Sequence, residues 1–154
     1  MAGSVDRVRD ALRSQGHGDD IVTFPDSTRT AVEAAAAVGC EVAQIAKSIL
    51  FRAGDTPVLV VASGANRIDA AKVAAEIAAP VARPDAAWVR QVTGFAIGGV
   101  SPVGHLTAPT VLIDEDLAAL DPIWAAAGAP NAVFRTGFAE LVRISGGRVA
   151  DIRE

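Results

Sequence analysis

Cysteine occurs once in this chain of 154 residues, tyrosine not at all, and no apolar run approaches the length of a membrane span. A lone thiol, Cys40, excludes an internal disulfide framework and a cysteine-rich metal site. A bilayer-crossing helix needs about 20 consecutive apolar residues, so no membrane partner is expected. The opening segment, Met1 to Arg7, is charged and lacks the apolar stretch of a secretory signal, which points to a cytoplasmic location. Positive charge is also short: 14 basic residues face 18 acidic ones, for a net charge of −4. Non-specific nucleic-acid binding rests on neutralising phosphates. The deficit therefore argues against DNA and against a long RNA-binding face, but not against an enzyme that holds only the last nucleotide or two.

Aromatic residues make up 5% of the chain and apolar types 51%. Much of that apolar content is alanine, which implies close helix–sheet contacts rather than a core of large rings. No repeat, low-complexity tract or Pro/Gly-rich linker divides the sequence, so a single domain over residues 1–154 is expected. At this length roughly 70% of the unfolded surface is buried on folding.

Helical spacing runs from Val5 to Leu12, and Ile21 to Phe24 reads as a short strand closed by Pro25. Thr30-Ala31-Val32-Glu33 fits a capping box that opens a helix through Val38, with Gly39 as its stop. Glu41 to Ala46 reads as a helical turn or two before a strand at Ser48 to Phe51. Pro57 to Ala62 is a continuous apolar run, the mark of a strand buried on both faces. Helices are expected over Asp69–Ala79, Asp85–Val92 and Gly137–Ile144. Further strands are expected at Thr110–Asp114, Ile123–Ala127, Ala132–Arg135 and Arg148–Ile152. Strands interleaved with helices indicate an α/β class, and short connections after Ala96 indicate a mixed sheet.

The densest run of special residues extends from Gly94 to His105: Gly-Phe-Ala-Ile-Gly-Gly-Val-Ser-Pro-Val-Gly-His. Adjacent glycines let main-chain N–H groups approach a ligand with no side chain in the way; the plainer reading is a tight strand-to-loop connection. The run is not a phosphate-binding loop of the Walker type. The lysine position holds Val100, and Pro102 disfavours helix at Ser101. A G-x-G-x-x-G dinucleotide fingerprint is absent as well. Lys47, one of two lysines, precedes the strand expected at Ser48, where its ammonium is placed to donate to a carbonyl or phosphate; the plainer reading is a solvated strand-edge lysine. Lys72 sits on an amphipathic helix and is read as solvated.

Lys47-Ser48-Ile49-Leu50-Phe51 followed by Gly94-Phe95-Ala96-Ile97-Gly98-Gly99-Val100-Ser101-Pro102-Val103-Gly104 resembles the two signatures of the YbaK/prolyl-tRNA synthetase-associated deacylase family. The likeness extends from about Ile21 to the C-terminus, including the acid-ended Thr110–Asp114 and the closing Ile144-Ser145-Gly146-Gly147. The resemblance implies a compact α/β fold with a curved, barrel-like mixed sheet flanked by helices. It implies hydrolysis of the ester that joins an amino acid to the tRNA 3′ end, with that charged 3′ end as partner and an aminoacyl-tRNA synthetase as a further candidate partner. It also implies Lys47 as the essential cation, Gly98 and Gly99 around the ester, and no cofactor or metal. Where some free-standing members place an acid on a late strand, this chain reads Ala132-Val133-Phe134-Arg135-Thr136, which leaves the amino acid open.

Ser101 and His105 are candidate substrate contacts. A nucleophile–base pairing of the two lacks an acidic orienter nearby. Arg135 is a candidate contact for an anion. His17 is read as solvated and Cys40 as a buried small residue. Asp114 and Asp116 flank Glu115 with no histidine at metal-ligand spacing. An activated ester needs no covalent nucleophile, so positioned water and donors aimed at the oxyanion suffice. A binding module without turnover, and a hydrolase of small amino-acid esters, remain as alternatives.

Overall fold

The computed structural model of the chain describes residues 3–25 and 30–154. Among the described residues, seven strands join one mixed sheet in the order β1-β6-β5-β2-β3-β4-β7. These are β1 (Ile21–Thr23), β2 (Ile45–Ala53), β3 (Thr56–Ser63), β4 (Thr110–Asp114), β5 (Ile123–Ala126), β6 (Ala132–Thr136) and β7 (Arg148–Ala150). The helices are α1 (Ser4–Ser14), α2 (Ala31–Val38), α3 (Ala70–Ile77), α4 (Ala86–Thr93) and α5 (Phe138–Ser145). The α/β class and mixed sheet agree with the sequence reading. The sheet is open, with β1 and β7 at its edges, and does not close into a barrel.

The apolar run in β3 explains the sheet's two-sided burial. Leu59 and Val61 face a cluster with Val8 and Leu12 of α1, Val89 of α4 and Leu141 of α5. Val58, Val60 and Ala62 alternate to the opposite face, packed with Val73 of α3, Leu112 and Ile152. Period-2 side chains buried on both sides give an unbroken apolar sequence. β2 and β3 form a hairpin from Ala46↔Ser63 to Ala53↔Thr56.

Local chemistry sets the helix ends. The Thr30 hydroxyl accepts from Glu33 N–H at 3.1 Å, the side-chain cap of α2, while its own hydrogen reaches the Glu33 carboxylate at 2.9 Å in place of the backbone bond that would complete the expected capping box. Asp69 and Asp85 cap α3 and α4 through their carboxylates. Most boundaries shift by one or two residues, and the start of β2 shifts furthest. Only Val42–Gln44 forms a 3-10 turn, and β2 begins at Ile45. Ile45 and Ala46 pair with Trp124 and Ala125 of β5, a non-local contact that draws them into the sheet. Lys47 therefore lies inside β2, not ahead of it.

Candidate functional site

β5 runs parallel to β2 for only two residue pairs, Ile45↔Trp124 and Ala46↔Ala125, and then ends at Ala126. Further along the same edge, Arg52 is covered by a bridge to Ala82. Between these contacts the sheet parts, and a pocket of about 470 Å³ fills the gap. Its floor is β2 from Ile45 to Leu50. One wall is α2 at Ala31 and Ala34; another is Trp124, Ala125, Ala132 and Val133 of β5 and β6. The remaining wall comes from Ile97, Gly98 and Val100, with Arg83 and Pro84 at the margin. Alanines dominate the lining, and no carboxylate occurs in it among the described residues.

Lys47 lies on the β2 face shared with Phe51 by alternation, and its ammonium donates to the Asn66 carbonyl at 2.5 Å. Asn66 is itself held, because its side-chain amide donates to Asp114 at 2.8 Å and Asp116 at 2.9 Å. Asp114 is fully buried and accepts from Ser63 N–H at 3.0 Å. The acid that ends β4 thus braces the turn that orients Lys47. Burial pulls the Lys47 pKa below the ordinary lysine value; the Asp114 charge opposes this, and the Arg67 and Arg83 charges reinforce it. Arg83 lies with its guanidinium 4.9 Å from the centre of the Phe51 ring. The Arg52–Ala82 bridge brings it there.

The glycine loop divides its labour. Gly99 N–H donates to the Ala96 carbonyl at 3.0 Å, closing a turn in which Gly98 takes φ +91°. A left-handed third residue is what such a turn asks of glycine. A Cβ on Gly98, which lines the pocket, would meet nothing within 4 Å. Its N–H finds no acceptor among the described residues. A Cβ on Gly99 would instead lie 3.0 Å from the Ala129 Cα. Gly99 therefore permits close approach of the loop to the turn after β5, and its N–H is already used.

The structure does not bring Ser101, His105 or Arg135 to the pocket. Ser101 is fully buried, and its hydroxyl oxygen accepts from Val103 N–H at 3.3 Å. His105 Nε2 bonds the Ser101 carbonyl at 2.6 Å, not the hydroxyl, so the pair has no nucleophile–base geometry. The His105 ring meets Phe95 edge-on at 5.1 Å. Arg7 of α1 stacks on Phe95 at 5.0 Å and donates to the Gly94 carbonyl at 2.8 Å. These groups clamp the back of the loop to α1. Burial pushes the His105 pKa below the ordinary histidine value, against the raising effect of the Ser101 carbonyl. Arg135 lies two residues beyond Val133 on β6, and lines a separate groove of about 480 Å³ with His17, Asp121 and Glu140.

Sequence reading missed Arg83, Trp124 and Asn66 at the site. No motif marks them; a bridge, a parallel strand pair and a buried carboxylate place them.

A family model described as the aminoacyl-tRNA editing domain matches residues 25–144, a span that includes every residue of the pocket lining. The crystal structure of a “putative trans-editing enzyme for prolyl tRNA synthetase” is 44% identical, covering 100% of this chain and 99% of that one, with a TM-score of 0.94. The “Uncharacterized protein YwhH” of Bacillus subtilis (strain 168) is 31% identical over 147 residues, 95% of this chain and 94% of the relative. A hypothetical protein of known crystal structure is 27% identical with a TM-score of 0.88, over 96% of this chain and 99% of its own.

Proposed function

The chain belongs to the aminoacyl-tRNA editing domain family, and from that premise we propose that it hydrolyses the ester of a wrongly charged tRNA as a free-standing, cytoplasmic enzyme. The observation that carries this reading is the pocket's asymmetry. The α2 and β5–β6 walls are apolar and rich in alanine, while the β2 floor offers Lys47 and the remaining side offers Arg83 and a Gly98 N–H with no acceptor among the described residues. Small apolar walls suit a compact aminoacyl group. The two cations suit the carbonyl and the phosphates of a terminal nucleotide, and the N–H suits an oxyanion.

In this mechanism the aminoacyl group enters the gap between β2 and β5. Lys47, oriented by Asn66, fixes the terminal nucleotide or the carbonyl. Water attacks the ester carbon, and the negative charge that develops on the carbonyl oxygen is met by Gly98 N–H. The bond to the ribose oxygen then breaks, with the proton from water delivered to that oxygen. A neighbouring ribose hydroxyl of the substrate relays this proton, which fits a pocket without a carboxylate among its described residues. The relative described as acting for prolyl tRNA synthetase supports tRNA handed over from a synthetase as the source of substrate.

The test is single-turnover hydrolysis of tRNA charged in turn with alanine, serine, threonine, cysteine and proline, beside a minimal ester of each amino acid. Enzyme-dependent loss of at least one charged tRNA, with far slower cleavage of its minimal ester, is expected. Equal cleavage of both would assign a small-ester hydrolase. Binding without any turnover would assign a non-catalytic module.

A further inference from the structure

The main chain of β2 is open where the pocket meets it. Gly64 N–H donates to the Ile45 carbonyl at 2.7 Å, which sets the phase of the β2–β3 ladder. Antiparallel pairing alternates, so Ile45, Lys47, Ile49 and Phe51 direct their N–H and C=O groups to β3. Ala46, Ser48, Leu50 and Arg52 direct theirs to the opposite edge. Two independent observations agree with this phase. Arg52 exchanges hydrogen bonds of 2.8 and 2.9 Å with Ala82 on that opposite edge, and its partner across the hairpin is Pro57, which has no N–H to give.

On this edge Ala46 is covered by β5 and Arg52 by Ala82. No described residue pairs with Ser48 or Leu50 between them, and both line the pocket. The Ser48 hydroxyl is also buried with no partner among the described residues. A two-residue opening that faces a pocket leaves main-chain donors and acceptors on offer to a ligand with matching groups.

We propose that the open edge of β2 at Ser48 and Leu50 holds the α-ammonium and ester carbonyl of the substrate as though they were one residue of an added strand. An extended aminoacyl group presents its α-nitrogen and its C=O on the same side, as a strand residue does. The ammonium donates to a β2 carbonyl, and the ester oxygen accepts from a β2 N–H, the geometry of strand addition at an exposed edge. The electrostatics require such acceptors: the pocket holds Lys47 and Arg83 and, among its described lining, no carboxylate, so main-chain carbonyl dipoles retain the cationic amine there. This inference rests on the deacylase reading and adds to it how the substrate is oriented.

The test changes the substrate and leaves the protein intact. The charged tRNA turned over fastest in the panel above is compared with its deaminated α-hydroxy counterpart, each rate divided by that substrate's uncatalysed hydrolysis. The expected result is a normalised kcat/KM at least about tenfold lower for the hydroxyacyl-tRNA. In parallel, a 3′-aminoacylamido-adenosine carrying the same amino acid should shift the carbonyl carbon resonance of Ser48 or Leu50, and its hydroxyacyl analogue should not. Rates within twofold of each other, or carbonyl shifts confined to other pocket residues, would overturn the inference while leaving the deacylase reading in place. Failure of every charged tRNA to turn over would remove the reading and the inference together.

Discussion

The two halves of the Gly94–His105 segment both carry glycine and use it differently in the fold. In the first half, Gly98 takes a left-handed φ of +91° with open space beside it and leaves its N–H unpaired among the described residues. In the second half, the Ser101 hydroxyl oxygen and His105 Nε2 bond inside the segment. Gly104, at φ +82°, would place a Cβ 3.3 Å from the Arg7 backbone. Gly98 lines the pocket, whereas Gly94, Phe95 and Gly104 pack against Arg7 of α1. Glycine density thus has two causes here, access for a ligand and close approach to a helix, and only the first concerns chemistry.

Substitutions that add one methyl group to each half are the strongest way to break this comparison. Gly98→Ala is expected to lower the single-turnover rate at least about tenfold, roughly 1.4 kcal/mol of barrier, because the methyl enters the pocket and the turn resists the new side chain. Gly99→Ala should lower rate and melting temperature together, since its Cβ presses on the Ala129 backbone. A normal rate in the folded Gly98→Ala protein would erase the distinction between the halves.

Gly104→Ala is expected to act on stability alone. A left-handed alanine costs on the order of 1–2 kcal/mol, and 1 kcal/mol lowers Tm by roughly 2–4 °C in a chain of about this length. Thermal denaturation should show a fall in that range or somewhat more, because the Arg7 and Val8 backbones must also yield. The rate of the folded fraction should stay within about twofold of the parent. A large rate loss without a Tm change would move this half of the loop into the site.

The smallest expected effect is a pH dependence at His105. Its folded pKa lies below the ordinary value of 6.5 because burial disfavours the charged ring. The unfolded chain therefore binds the proton more readily as pH falls. The contribution is fully present above about pH 6.5 and is lost as pH drops toward the folded pKa. The Asp19, Glu140 and Asp151 carboxyls, all shifted downward from their ordinary values, titrate in a more acidic window. Tm measured between pH 7.5 and 5.5 should fall in the parent protein and fall less in His105→Gln. Identical slopes would show that the ring does not titrate in this range.

Most of the fold was legible because its signals are local. The N-caps at Thr30, Asp69 and Asp85 and the double-sided run in β3 each declare an element within a few residues. The start of β2 was not legible. Ile45 and Ala46 follow a helical turn and are drawn into the sheet by β3 and by β5, the latter about eighty residues away. The site followed the same rule. Lys47 and Gly98 carry a motif and do meet at one pocket. Arg83 arrives through the Arg52–Ala82 bridge, and the open edge at Ser48 exists only because β5 stops short. Ser101, His105 and Arg135 were reasonable as polar residues near the motif or at a strand end. Burial, a carbonyl contact and two further positions along β6 take them elsewhere.

The central claim is that the ester is cleaved beside Lys47, in the gap between β2 and β5, and the most direct measurement is single-turnover deacylation by Lys47→Ala alongside its circular dichroism. Lys47 is half-exposed, makes one hydrogen bond to the Asn66 carbonyl and contributes nothing to the apolar clusters, so the variant should fold. The expected result is a parent-like spectrum with the rate reduced by about a hundredfold or more, the scale of losing a key electrostatic group from a pre-organised site. A folded variant that deacylates at close to the parent rate would contradict the claim and leave Lys47 an ordinary strand lysine.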